Sequence, residues 1–307
     1  MKIYALCLAK NEIDIIEQTL TSAAQWCNFI YVFDNGSSDG TWEKILELGD
    51  KYPQIVPYKQ DACPFSENLG GQIFNHYRAN CMDGDWWCRL DADEIYIDNP
   101  REFITKVPPK YKAIVTAVFN YYFTDRDLEL YESNPALYAD DVPVAKKCRY
   151  YLNNWSELRF FKYSSSLIWE SDRQWPSGLT GDAYPVRIRQ KNFQYRSPHQ
   201  IEKRLEIRRA AAARNSFPHE SQSDWKKMVF NNHLAPANVD YDRPDTQTWK
   251  DRILEASALD YDTDDGNYVL REQLMPNLYT MSLIWDYRSN LNNLSKRIFR
   301  KVNTLVK

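Results

Sequence analysis

The stretch WWCRLDADEIY (residues 86–96) decides how this chain is to be read. Its first five residues form a short run of strand type, apolar except for Arg89, and the run stops abruptly at Asp91, Asp93 and Glu94. On an extended chain Asp91 and Asp93 point to one side and Ala92 to the other. Two carboxylates so placed resist joint ionisation unless a cation or a set of donors lies between them. Hard oxygen ligands suit Mg2+ or Mn2+, which would in turn hold a phosphate-bearing substrate. The competing reading is an acidic turn whose carboxylates face water, since an Asp-x-Asp triplet is common.

Working outward from this run, strand and helix signals alternate over the first hundred residues. IYALCLA (3–9) is nearly continuously apolar, as in strands covered on both faces. Residues 13–26 carry Ile13, Ile16, Leu20 and Ala23 at helical spacing. FIYVFD (29–34) reads as a strand, and Trp42, Ile45 and Leu46 begin a second helix with Glu43 in its first turn. A weaker strand at 55–59, a helix near 72–82 and the strand at 86–90 complete a β-α-β-α-β-α-β order. Such an order predicts an α/β fold with a mainly parallel central sheet flanked by helices. Ligands of open sheets collect at the carboxyl ends of the strands, where both polar segments, 34–40 and 91–94, fall.

Composition narrows the classes. The chain has 307 residues, 43% of them hydrophobic and 14% aromatic, enough for a sizeable core. A net charge of −3 gives no overall cationic field, which argues against nucleic acid as the main partner. The N-terminal apolar run meets Lys10, Asn11 and Glu12 too soon for a signal peptide, and no run approaches the ~18 apolar residues of a membrane span. Six scattered cysteines without a Cys-x-x-Cys pair predict a reduced, cytoplasmic chain, and no ligand spacing suggests structural zinc.

The second polar segment is FDNGSSDGT (33–41). Asp34 ends its strand, and Asn35, Gly36, Ser37, Ser38 and Asp39 supply turn geometry, side-chain acceptors and free backbone donors. Gripping a base or ribose and simply capping the next helix are both open to such a segment.

Together, CLAKNE (7–12), GSSDGT (36–41) after Asp34, and LDADE (90–94) preceded by GDWW (84–87) resemble the family 2 glycosyltransferases of the GT-A fold. The resemblance covers residues 1–100, with three motifs in the family's order and on the matching element types. It implies a nucleotide-diphospho-sugar donor. On the matched positions Asp34 would bind the base, with Asn35, Ser37 and Asp39 beside it. Asn11 and Glu12 would line the nucleoside pocket. Asp91, Ala92 and Asp93 would lie against ribose and diphosphate, with Asp91 and Asp93 holding Mn2+ or Mg2+. Arg78, on the preceding helix, is either a cation near the phosphates or a surface arginine.

Beyond residue 100 the correspondence weakens. An inverting transferase needs a carboxylate to deprotonate the acceptor hydroxyl, and by position Asp172 and Asp182 are the candidates, with Glu157 and Glu170 behind them. Trp169 and Trp175 are either an acceptor platform or core. His199, in YRSPHQIEKR (195–204), is either a further metal ligand or a helix-start surface residue, and Arg196, Lys203 and Arg204 could contact the diphosphate. Strands are expected at 113–123, 159–163 and 186–196, with a long loop between the first two. A catalytic domain is expected over 1–200. Helix signals at 223–233, 246–259 and 268–300 suggest a helical C-terminal extension over 201–307. Its last segment, 289–307, is basic and amphipathic, suited either to the inner face of a membrane or to packing on the body. The acceptor implied is a saccharide or lipid-linked glycan, possible in surface polysaccharide synthesis. Two rival readings stand: a sugar-nucleotide nucleotidyltransferase, disfavoured because CLAKNEIDI lacks a phosphate-loop glycine, and a non-catalytic sugar-nucleotide or glycan-binding protein.

Overall fold

The computed structural model describes residues 1–66, 68–171, 173–179, 181, 183–212, 222–229, 253–255, 259–262 and 267–270. The first half follows the alternation in the sequence: β1 (Ile3–Ala9), α1 (Ile16–Ala24), β2 (Phe29–Asp34), α2 (Thr41–Lys51), β3 (Ile55–Gln60), α3 (Leu69–Tyr77) and β4 (Trp86–Asp91). β1 is paired in parallel with β2 on one side and β4 on the other, so the strand order reverses beside it. A crevice at the carboxyl ends of such strands is the usual ligand position in open α/β sheets.

The two faces of this half are filled differently. On one, Ile16, Leu20 and Ala23 of α1 pack with Ile3, Ala5, Cys7, Val32, Cys88 and Leu90. On the other, Ile73 and Phe74 of α3 join Tyr4, Leu6, Phe33, Trp87, Phe161 and Trp169. α3 comes close because Gly70 and Gly71 have no side chain. A Cβ on Gly70 would stand 2.9 Å from Leu6 Cδ1, and one on Gly71 would stand 2.8 Å from Trp169 Cδ1.

The second half is mixed. It contains β5 (Glu94–Tyr96), α4 (Pro100–Thr105), β6 (Ala113–Tyr122), α5 (Asp125–Ser133), α6 (Val144–Lys147), β7 (Tyr150–Lys162), β8 (Ala183–Asn192) and α7 (Pro198–Ala212). The sheet runs β3-β2-β1-β4-β7-β6-β8-β5. β7 enters antiparallel to β4 and β6, β8 lies parallel to β6, and β5 lies antiparallel to β8. The expected parallel character therefore belongs to the first four strands. The loop expected before residue 159 is instead helical at α5 and α6, and then already strand from Tyr150.

After residue 200 the helix that starts at Pro198 runs on to Ala212, and its Ile201 and Leu205 bury against Phe123, Tyr138 and Tyr195. Residue 201 is thus inside one packed helix. Where helix was expected at 246–259 and 268–300, the described residues are strands: β9 (Ile253–Glu255), which pairs with β7, and the antiparallel pair β10 (Leu259–Asp262) and β11 (Asn267–Leu270). The sequence TDDG (263–266) between the last two carries a Asp-Gly hairpin signal that outweighs helical spacing. Residues 289–307 lie outside the described residues. No helix among the described residues is long and apolar enough to cross a membrane.

Candidate functional site

The loops after β1 and β2 are laced together at the carboxyl edge. Asn11 has φ 55°, a left-handed conformation that a short polar side chain tolerates. Its backbone N–H donates to Ser37 Oγ at 2.8 Å, and its Oδ1 accepts from the Ser38 N–H at 2.8 Å. The N–H of Glu12 donates to Thr41 Oγ1 at 2.8 Å, and Asp39 accepts from the N–H groups of Ile13 and Thr41 at 3.3 and 3.0 Å. Asn35 donates from Nδ2 to the carbonyls of Asp61 and Cys63 at 3.0 and 2.7 Å. Asn11, Asn35, Ser37 and Asp39 therefore spend polar atoms on shaping the loop floor. Asp34 is different: Oδ1 accepts from the Gly36 and Ser37 N–H groups at 3.0 and 2.8 Å and from Gln60 Nε2 at 3.2 Å, while buried Oδ2 has no partner among the described residues. An unspent buried acceptor calls for an explanation, and a donor on a ligand is one.

The acidic cluster at the end of β4 is held by arginines from the distant half of the chain. One terminal nitrogen of Arg159, on β7, donates to Asp91 Oδ2 at 2.7 Å, to Glu94 Oε1, and lies 2.9 Å from a Glu157 oxygen. Glu94 in turn accepts from the Asp91 N–H at 3.0 Å, which closes the turn. Asp93 lies 3.9 Å from both Arg196 and Arg204. Buried Arg196 also donates to Glu12, to both oxygens of Asp14 at 2.8 Å, and to the Phe193 carbonyl at 2.7 Å. Ala92 adds only its backbone, accepting from Thr19 Oγ1 at 2.8 Å. Thus charge from β7 and the start of α7 makes the cluster tolerable.

Proton affinities divide along the same lines. Burial pulls Asp91 upward, but the guanidiniums of Arg159 and Arg89 outweigh it and hold the carboxyl below its ordinary value. Burial wins at Asp93, which is raised despite Arg204 and Arg196. It wins again at Glu12, pushed up to about 7 against the pull of Arg196. Asp91 is the exposed member, with 45% of its side chain open to solvent. Two carboxylates of this kind fit a hard divalent cation that takes its remaining ligands from water and substrate phosphates.

The other expected residues are scattered. His199 is exposed in the first turn of α7, and no group of three or more His, Cys, Asp or Glu side chains among the described residues is arranged to hold a metal. Arg78 donates to the Ser165 carbonyl at 2.8 Å, and Ser165 donates to Asp83, ahead of β4. Arg78 therefore belongs to the amino edge of the sheet, away from Asp91. Trp169 is core: it is buried against Phe74 and Phe161 and donates to the Arg173 carbonyl at 2.9 Å. Trp175 is half-buried, stacked on Trp169, and carries the Arg89 guanidinium 4.7 Å from its ring centre. Asp172 and Asp182 lie outside the described residues. Of the acids ranked behind them, Glu170 is exposed and paired with Arg173, whereas Glu157 stands beside Asp91 through Arg159.

Sequence reasoning missed Arg159 and Arg89. A signal was present, because each arginine interrupts an apolar run (LRFF at 158–161, CRL at 88–90), and a guanidinium buried in a strand needs a carboxylate.

Comparison with known proteins bears on the same region. Solved structures similar to this chain include a mannosyltransferase from Pyrobaculum calidifontis in complex with GDP-Man and Mn2+. It is 16% identical with a TM-score of 0.30, over 52% of this chain and 44% of that one. TarS (1–349) from S. aureus is 13% identical with a TM-score of 0.29, over 82% of this chain and 77% of that one. A putative glucose-1-phosphate thymidylyltransferase from Bacillus anthracis is also 13% identical with a TM-score of 0.29, over 39% and 55%. This chain thus spans less than half the length of the first of these. No curated protein matches. The family model described as glycosyl transferase family 2 matches residues 6–163, which hold both laced loops, the acidic turn and Arg159. The chain belongs to glycosyl transferase family 2.

Proposed function

We propose that this protein transfers a glycosyl group, with inversion, from a nucleotide-diphospho-sugar to a saccharide or lipid-linked glycan acceptor, with Mn2+ or Mg2+ as cofactor. The observation that carries the reading is the meeting, at one carboxyl edge, of the loop around Asp34 with its unspent buried acceptor and the turn bearing half-exposed Asp91. Asp34 would orient the base, with the loop of Asn11, Asn35, Ser37 and Asp39 shaping its pocket. Asp91 and Asp93 would hold the cation against the diphosphate. When bound, such a cation neutralises charge that builds on the diphosphate as it leaves.

The acceptor hydroxyl must lose its proton to a carboxylate on the opposite side of the reacting carbon. Asp172 and Asp182 remain the proposed bases, and of the two acids ranked behind them Glu157 is the one joined to Asp91 through Arg159. His199 is proposed as a further ligand only through the family resemblance, and Arg78 is left out. Arg204, 3.9 Å from Asp93 and partly open to solvent, would meet phosphate oxygens, while fully buried Arg196 would stay with Glu12, Asp14 and Asp93.

The test is a thermal-shift screen against UDP-, GDP-, dTDP- and CMP-sugars, each with and without Mn2+, repeated on Asp93→Ala. One nucleotide class should stabilise the protein in the presence of metal and fail to stabilise the variant. A wild type that responds to none of these donors, or a variant that responds as well as the wild type, would overturn the reading.

A further inference from the structure

Arg159 is one cation serving three acids. A single terminal nitrogen meets Asp91 at 2.7 Å, Glu157 at 2.9 Å, and Glu94. Its side chain is 5% exposed, Glu94 is fully buried, and Asp91 and Glu157 are half open, at 45% and 39%. The guanidinium is therefore covered by the acids, and Asp91 and Glu157 each keep a side open to solvent. Asp91 Oδ2 is already bonded to Arg159, so a divalent cation held by Asp91 would stand close to the guanidinium, and the two positive charges would repel at short range.

We propose that Arg159 is the positioning residue of the donor site and competes with the divalent cation for Asp91, so that the bare ion binds weakly and is taken up together with the nucleotide diphosphate. This rests on the donor-site reading above. Diphosphate changes the balance because its negative oxygens offset the repulsion between the ion and Arg159, Arg89 and Arg204, all of which act on Asp91. Asp91 then exchanges Arg159 for the cation while Glu94 and Glu157 keep the guanidinium in place. A purely structural arginine would hold the turn in shape and nothing more, so its loss would weaken metal binding. Competition requires the opposite sign.

The experiment is a Mn2+ titration of the nucleotide-free protein, followed by the electron paramagnetic resonance signal of the free ion, on wild type, Arg159→Lys, Arg159→Met, and Arg159→Met combined with Asp91→Asn. Arg159→Met should bind Mn2+ at least about tenfold tighter than wild type, since removing one close charge repulsion exceeds the energy of one such factor. Arg159→Lys, which keeps the charge on a shorter side chain and so farther from Asp91, should show a smaller gain in the same direction. Adding Asp91→Asn should abolish the gain. Should Arg159→Met fail to fold by circular dichroism, the sign in Arg159→Lys decides. Unchanged or weaker Mn2+ binding in the folded variants would overturn the proposal. The failure of the donor reading is separate, because it appears as a wild type that binds no nucleotide-sugar, whatever its Mn2+ affinity.

Discussion

The two halves of the sheet solve different problems. The parallel half, β3-β2-β1-β4, is built from apolar runs covered by α1, α2 and α3, and its functional loops are tied by hydrogen bonds of Asn11, Asn35, Ser37, Asp39 and Thr41. The mixed half, β7-β6-β8-β5, buries Arg159, Arg187, Arg189 and Lys191, and with Arg196 it sends guanidiniums back to the acids of the first half. The first half gives the site its shape, and the second gives it its charge balance. Neither half alone makes a tolerable acidic turn.

The sharpest way to break this comparison is Arg196→Met. Arg196 is fully buried between Glu12, Asp14 and the Phe193 carbonyl, so its loss strands Glu12, leaves Asp14 with only Lys147 at 3.4 Å, and should cost about 3–5 kcal/mol in urea unfolding. A loss below about 1 kcal/mol, the range of a solvent-exposed pair, would show that charge from the mixed half is dispensable.

A second variant isolates one carboxylate of the same network. Glu12 has its ordinary value at 4.5 and is raised to about 7 in the fold, chiefly by burial. Between those values the native state holds a proton that the unfolded chain has released. Stability should therefore fall as pH rises from about 4.5 and level off above about 7. Glu12→Gln should remove up to about 3 kcal/mol of that fall, seen by comparing urea midpoints of both proteins at pH 5 and pH 8. Identical pH slopes in the two proteins would mean that Arg196 compensates burial fully.

The smallest effect belongs to the parallel half. Gly71→Ala would put its Cβ 2.8 Å from the Trp169 ring, so α3 and Trp169 must move apart at a cost of about 1–3 kcal/mol, measurable by thermal unfolding. A neutral Gly71→Ala would show that this half tolerates repacking and that its glycines are not what brings α3 close.

Legibility followed the same division. β1, β2 and β4 were readable because strands covered on both faces are apolar throughout, and their polar ends stand out against that background. β7 was readable only at its end, from Arg159 to Tyr163. Its start, YYLNNWSE (150–157), mixes aromatics with asparagines, a serine and a glutamate, so neither strict alternation nor a continuous apolar run marks it as a strand. Asp34, Asp91 and Asp93 were visible as a motif. Their partners Arg159, Arg196 and Arg204 lie from 66 to 111 residues beyond Asp93 in number, and nothing local marks an arginine as the counter-ion of a particular acid. Trp169 shows the same limit. Its spacing from Trp175 allowed a platform, and only the close approach of α3 through Gly71 makes it core.

The sequence by itself determined the alternation of the first hundred residues, the strand-end placement of the acidic turn, and the family, because those depend on periodicity and on short motifs within single elements. Only the tertiary structure decided which charges meet. Ion pairs between β4, β7 and α7 depend on strand order and register, which are long-range properties, and a guanidinium's effect on a carboxylate is felt over a few ångströms in space however far apart the two lie along the chain.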